Sequence, residues 1–150
     1  MEMFSHPKYF VSAGDQELMF NSFSEALETI DNALSQQKGK LSLSADDGLR
    51  PWWQRFVFGA SNYIRMYLAL EWDSNFSGLI FYDENSSEYR ALSNGPNSEV
   101  AESIRNQISF GEPEPLEAKY CLASEVAFKA IREFMDSGAK PEWLNYEFVQ

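Results

Sequence analysis

At 150 residues the chain fits one domain, and an apolar fraction of 44 % with 15 % aromatic side chains supplies a core and argues against disorder. Its 12 basic and 23 acidic residues leave a formal charge of −11, and the excess is uneven: residues 1–70 hold 6 basic and 8 acidic (net −2), residues 71–150 hold 6 and 15 (net −9). So acidic a surface repels phosphate backbones and anionic lipid, which disfavours nucleic acid and membrane as direct partners and favours a basic protein.

The opening Met1-Glu2-Met3-Phe4 lacks the basic segment and apolar run of a secretory signal. No stretch approaches the ~18 apolar residues of a membrane span. Cys121 is the only cysteine, so no internal disulfide framework is available. The expectation is a single domain in a reduced cytoplasm, with residues 1–19 as an irregular lead-in.

A helix is predicted next. Ser22 with Glu25 three residues on has the form of a capping box. Phe23, Ala26, Leu27, Ile30 and Leu34 recur on one helical face, and Lys38 and Gly39 suit its C-terminal end. From Leu41 the period changes to two. Leu41 and Leu43 alternate with serines, and residues 52–58 and 62–72 are rich in aromatic and branched side chains. In the second run Ile64, Met66, Leu68, Leu70 and Trp72 would face one side, and Tyr63, Arg65, Tyr67, Ala69 and Glu71 the other. Leu79–Tyr82 and Glu88–Leu92 complete the strands, and the short links between them suit antiparallel hairpins.

Gly95-Pro96 interrupts the strands, and Glu99–Gln107 reads as a short helix. The acidic, proline-stiffened stretch from Gly111 to Glu117 reads as a surface loop. A second strong helix spans Ser124–Ser137, with Glu125–Lys129 and Arg132–Asp136 as outer charge pairs, Gly138 as its stop and Trp143–Val149 as a closing strand. The order predicts an α+β fold: a mostly antiparallel sheet meander with two main helices packed on one face.

Little of this points to catalysis. His6 is the only histidine and lies in the lead-in, where a solvated side chain is the simpler reading than a triad member. Cys121 sits between Tyr120 and Leu122 with no evident base, which favours a buried structural thiol over a nucleophile. Zinc lacks ligands. Neither Asp46-Asp47 nor Asp83-Glu84-Asn85 has calcium-loop spacing, and no phosphate loop or dinucleotide fingerprint is present. No cofactor and no metal are expected. For the acids, a solvated face is the plain alternative to a partner-binding surface. Trp52-Trp53 must face opposite sides of a strand, so one of them needs cover or serves as an interface anchor.

The order of segments resembles the Imm1 family of bacterial immunity proteins. The likeness rests on Ser22-Phe23-Ser24-Glu25-Ala26-Leu27, on Leu79-Ile80-Phe81-Tyr82-Asp83 with its turn, and on the Phe110–Pro115 segment. It is clearest in Ala127, Ala130, Arg132-Glu133-Phe134, Gly138 and Pro141 before a closing strand; together these cover about residues 20–148. The resemblance implies a non-enzymatic inhibitor of a bacterial toxin domain, often a nucleic-acid deaminase and therefore basic. The expected complex is 1:1 with a monomer and blocks the toxin's substrate site. Candidate interface residues are the carboxylates Asp83, Glu84, Glu88, Glu112, Glu114 and Glu117, with Trp53, Tyr63 and Tyr67 as aromatic anchors. The rivals are a secretion chaperone or adaptor for an effector and a small hydrolase using paired carboxylates.

Overall fold

The computed structural model describes residues 9–14, 16–49, 62–83, 85, 87–93 and 101–149, the side chains of 46–49 and 62–64 excepted. The strands are β1 (Tyr9–Ala13), β2 (Gln16–Phe20), β3 (Lys38–Leu49), β4 (Asn62–Asp73), β5 (Phe76–Tyr82), β6 (Glu88–Ala91), β7 (Leu122–Ala123) and β8 (Tyr146–Val149). They form one antiparallel sheet in the order β2-β1-β3-β4-β5-β6-β8, with β7 paired to β5. Among the described residues the helices are α1 (Phe23–Leu34), α2 (Glu102–Gln107) and α3 (Ser124–Ser137), with a 3-10 turn at Ala118–Tyr120. The predicted α+β meander is the observed fold.

α1 and α3 cover one face of the sheet. The stripe of α1 buries Ala26, Ile30 and Leu34, and α3 buries Ala127, Ala130, Ile131 and Phe134 against Leu43, Leu68, Leu70, Leu79 and Phe81. The ends of these helices follow their local chemistry. Ser22 Oγ accepts from the Glu25 amide at 3.3 Å, while the Glu25 carboxylate accepts from the Asn21 amide at 3.4 Å. Gly138, at φ 78°, closes α3 in the left-handed conformation that glycine adopts without strain. At its other end Ser124 Oγ and Ser77 Oγ meet at 2.7 Å inside the protein, fixing α3 to β5.

The opposite face carries a smaller core of Ile108, Leu116, Tyr120 and Cys121, with Phe76, Leu92, Ile104 and Phe110 packed around it. It is roofed by α2 and the chain that follows. Gly78 allows this approach: a Cβ there would stand 2.8 Å from the Phe110 ring and 2.9 Å from Leu116.

Several expectations give way. From Tyr9 on, the predicted irregular lead-in gives way to a hairpin of β1 and β2 that extends the sheet beyond β3, while residues 1–8 lie outside the described residues. α1 stops at Leu34, and Lys38 and Gly39 open β3 instead of ending the helix. Gly39 is needed there because the Trp72 indole lies where its Cβ would be, at 2.9 Å. The outer charge pairs of α3 are replaced by longer-range contacts. Arg132 Nε binds Asp31 of α1 at 3.1 Å, and Lys129 stands over the Trp143 ring. The predicted strand at 52–58 lies outside the described residues.

The most consequential difference is in β4. Leu43 pairs with Leu68 but Ser44 pairs with Met66, so Tyr67 is an extra residue in β4, a β-bulge. The alternation therefore slips by one. Tyr67 comes to the helix side, its ring 5.6 Å from Phe23 and 5.8 Å from Phe134, and Arg65 follows it, its guanidinium carbon 4.5 Å from the Tyr67 ring centre.

Candidate partner-binding surface

The acidic loop after α2 is tied down along its length. Phe110 (φ 58°) and Gly111 (φ 78°) both turn in the left-handed region, reversing the chain. Ser109 Oγ donates to the carbonyls of Asn106 at 3.0 Å and Glu112 at 3.1 Å. The Leu116 amide donates to the Arg105 carbonyl at 3.0 Å, and Arg105 Nη1 returns a bond to the Leu116 carbonyl at 3.0 Å. From beneath, Glu71 Oε1 accepts from the Phe110 amide at 3.0 Å. Glu71 is buried, and that burial raises its pKa despite the opposing Phe110 bond and Lys40 charge.

With its apolar residues Ile108 and Leu116 turned inward, the loop presents Glu112, Glu114 and Glu117 to solvent. Glu117 lies 3.8 Å from Lys119, which in turn binds Glu147 of β8 at 3.0 Å. The Tyr120 hydroxyl also donates to Glu147, and this bond, with the Lys119 bond, holds the Glu147 carboxyl below its usual pKa. Glu88 borders the same side through Arg90, whose Nη2 lies 3.4 Å from it and whose guanidinium stands over the Phe110 and Tyr120 rings. Arg90 and residues Glu112–Glu117 share a shallow hollow of about 240 Å³.

The structure thus gathers four of the predicted residues, Glu88, Glu112, Glu114 and Glu117, and adds Glu147, which the sequence pattern gave no reason to group with them. Asp83 and Tyr67 lie elsewhere, on the helix side. Asp83 organises the β5–β6 turn: Oδ1 accepts from the Asn85 amide at 2.8 Å and the Ser87 amide at 3.0 Å, and Oδ2 from the Tyr89 hydroxyl at 3.3 Å. The Ser87 bond leads the effects that lower its pKa. Trp53 and Glu84 lie outside the described residues, and Tyr63 is described only as backbone in β4.

Asp83 and Tyr67 border a cleft of about 510 Å³ between the C-terminal end of α3 and the sheet, where Arg65, Tyr89, Lys140 and Tyr146 also line it. Asp83 has a lowered pKa, whereas the carboxyl raised by burial, Glu71, lies on the opposite face. Among the described residues no group of three or more His, Cys, Asp or Glu side chains could hold a metal. Burial pushes the Cys121 thiol up to about 11, which leaves it protonated at neutral pH. No helix among the described residues is long and apolar enough to cross a membrane. In comparisons with known proteins, the chain matches no family model, no curated protein and no solved structure.

Proposed function

We propose that this chain is an immunity-type inhibitor that binds a basic toxin domain in the cytoplasm, one to one, and covers its substrate site. The observation that carries this reading is the display of Glu112, Glu114 and Glu117 on a loop already held by side-chain and backbone hydrogen bonds. A preorganised loop loses little freedom on binding, so its charge is spent on the partner rather than on ordering itself. The net charge of −11 adds long-range attraction to a cationic surface such as a nucleic-acid-targeting enzyme presents. The likeness of segment order to the Imm1 family points the same way.

The experiment is a pull-down from the producing strain with this protein as bait and mass spectrometry as readout, followed by co-expression with the captured domain. A tight partner ending in a small basic domain, whose toxicity this protein relieves, is the expected result. Recovery of secretion machinery, or of an effector that remains toxic in its presence, would replace inhibition with a chaperone role.

A further inference from the structure

The cleft between the end of α3 and the sheet already holds a cation. Lys140 follows α3, and its Nζ stands 4.6 Å from the centre of the Tyr89 ring and 5.5 Å from that of Tyr146. Lys140 is exposed, and among the described residues no hydrogen bond or ion pair holds its ammonium. A cation resting on tyrosine faces at an exposed site is weakly held, so this occupant is exchangeable.

The two rings keep their places without Lys140. The Tyr89 hydroxyl donates to Asp83 Oδ2 at 3.3 Å, and its ring packs on Phe148 with the centres 5.4 Å apart. The Tyr146 hydroxyl donates to the Pro141 carbonyl at 2.9 Å, and its ring meets Phe81 edge-on at 5.9 Å. Asp83 and Glu142 line the same cleft, whose open volume with Lys140 in place is about 510 Å³. Hydrogen bonds, the one from the Ser87 amide first, hold the Asp83 carboxyl below its usual pKa, so it is ionised at neutral pH. The opposing charge, Arg65, lies on β4, two strands from Tyr89 on β6, with its guanidinium against the Tyr67 ring. Two fixed aromatic faces beside carboxylates select a cation, and the cation seen there is an ammonium on a flexible aliphatic stem.

We propose that this end of the cleft receives a lysine side chain of a protein partner, and that Lys140 occupies the place in its absence. The incoming ammonium lies over the Tyr89 and Tyr146 rings with Asp83 and Glu142 beside it, and Lys140 swings out to solvent. The inference goes beyond the inhibitor reading and does not rest on it, since the cleft opens on the helix side and Glu112, Glu114 and Glu117 on the other.

The test is a titration of the isotope-labelled full chain with Nα-acetyl-lysine amide and, in parallel, with the norleucine analogue that lacks the ammonium, followed by amide NMR shifts. The lysine derivative should shift resonances around Asp83, Tyr89, Lys140 and Tyr146, and should bind about fivefold more tightly than the norleucine one, because only the cation gains the ring faces. Lys140→Ala should tighten its binding about threefold, because the site is no longer filled by the chain itself. Lys38→Ala makes the same change of charge on β3 and should leave the affinity as it was. Tyr89→Leu should weaken binding about fivefold, and the Lys140 variant, altered only at an exposed side chain, keeps the test decisive if the Tyr89 variant unfolds. Equal binding of the two derivatives, no gain from Lys140→Ala, an equal gain from Lys38→Ala, or no binding at tens of millimolar would each overturn the proposal. Shifts confined to Glu112–Glu117 would also overturn it, while leaving the inhibitor reading in place.

Discussion

Glu71 and Phe110 are 39 residues apart in the chain, and the carboxylate of one accepts the backbone amide of the other at 3.0 Å. A strand in the middle of the sheet thereby holds the loop that displays the acids. Burial raises the Glu71 pKa, so its unfolded form ionises first as pH rises. Its contribution to stability is full below the ordinary value of 4.5 and is lost as pH climbs through the higher folded value. Glu71→Gln keeps an acceptor for Phe110 without the buried charge. It should leave stability unchanged in acid and raise it at neutral pH, moving Tm up by a few degrees. Glu71→Leu, with no acceptor, should cost about 1–3 kcal/mol at neutral pH. Urea unfolding at several pH values checks both.

Gly78 lies directly beneath the same loop. Gly78→Ala would set a methyl against Phe110, Leu116 and the Ile108 carbonyl, the last at 3.2 Å, and backbone cannot swing aside as a side chain can. The expected loss is about 1–3 kcal/mol from overpacking. Partner binding should weaken as well, although no acid has been removed. Denaturation and an affinity measurement on the captured partner separate the two effects.

Neutralising Glu112, Glu114 and Glu117 together with glutamine should leave stability nearly unchanged, because all three are exposed. The association rate with a basic partner should fall, with a shallower dependence on salt and a smaller change in dissociation. Stopped-flow mixing at two ionic strengths reads this directly. An unchanged association rate would remove the loop from the interface.

At the start of α3, Ser124 Oγ contacts Ser77 Oγ and also donates to the Ser74 carbonyl at 3.1 Å. Ser124→Ala would strand the fully buried Ser77 hydroxyl and should cost about 1–3 kcal/mol. Ser77→Ala should cost less, since Ser124 retains its carbonyl partner. Paired denaturant midpoints test the order.

Cys121 is fully buried, with its thiol pushed up to about 11. It should resist aromatic disulfide reagents in the native protein and react once denaturant unfolds the chain. Rapid native labelling would mean that the smaller core opens readily.

The sequence by itself determined whatever a single turn of chain encodes. Ser22 with Glu25 marked the start of α1, Gly138 marked the end of α3, and the alternation through Leu41 and Leu43 marked a strand. The proline-rich acidic segment was legible as an exposed loop because its composition offers so little to bury. Tertiary structure decided which residues share a face. The bulge at Tyr67 depends on how β3 pairs with β4, and that one extra residue turns Arg65 and Tyr67 toward the helices, against the plain alternation of β4. Glu147 joins the loop acids only because β8 lies beside β6, bringing it to Lys119 and Tyr120. Likewise, Arg132 prefers Asp31 on another helix to Asp136 on its own. The physical reason is common to all three: capping and periodicity act between neighbours in the chain, whereas register and pairing are set by strands and helices that meet only after folding.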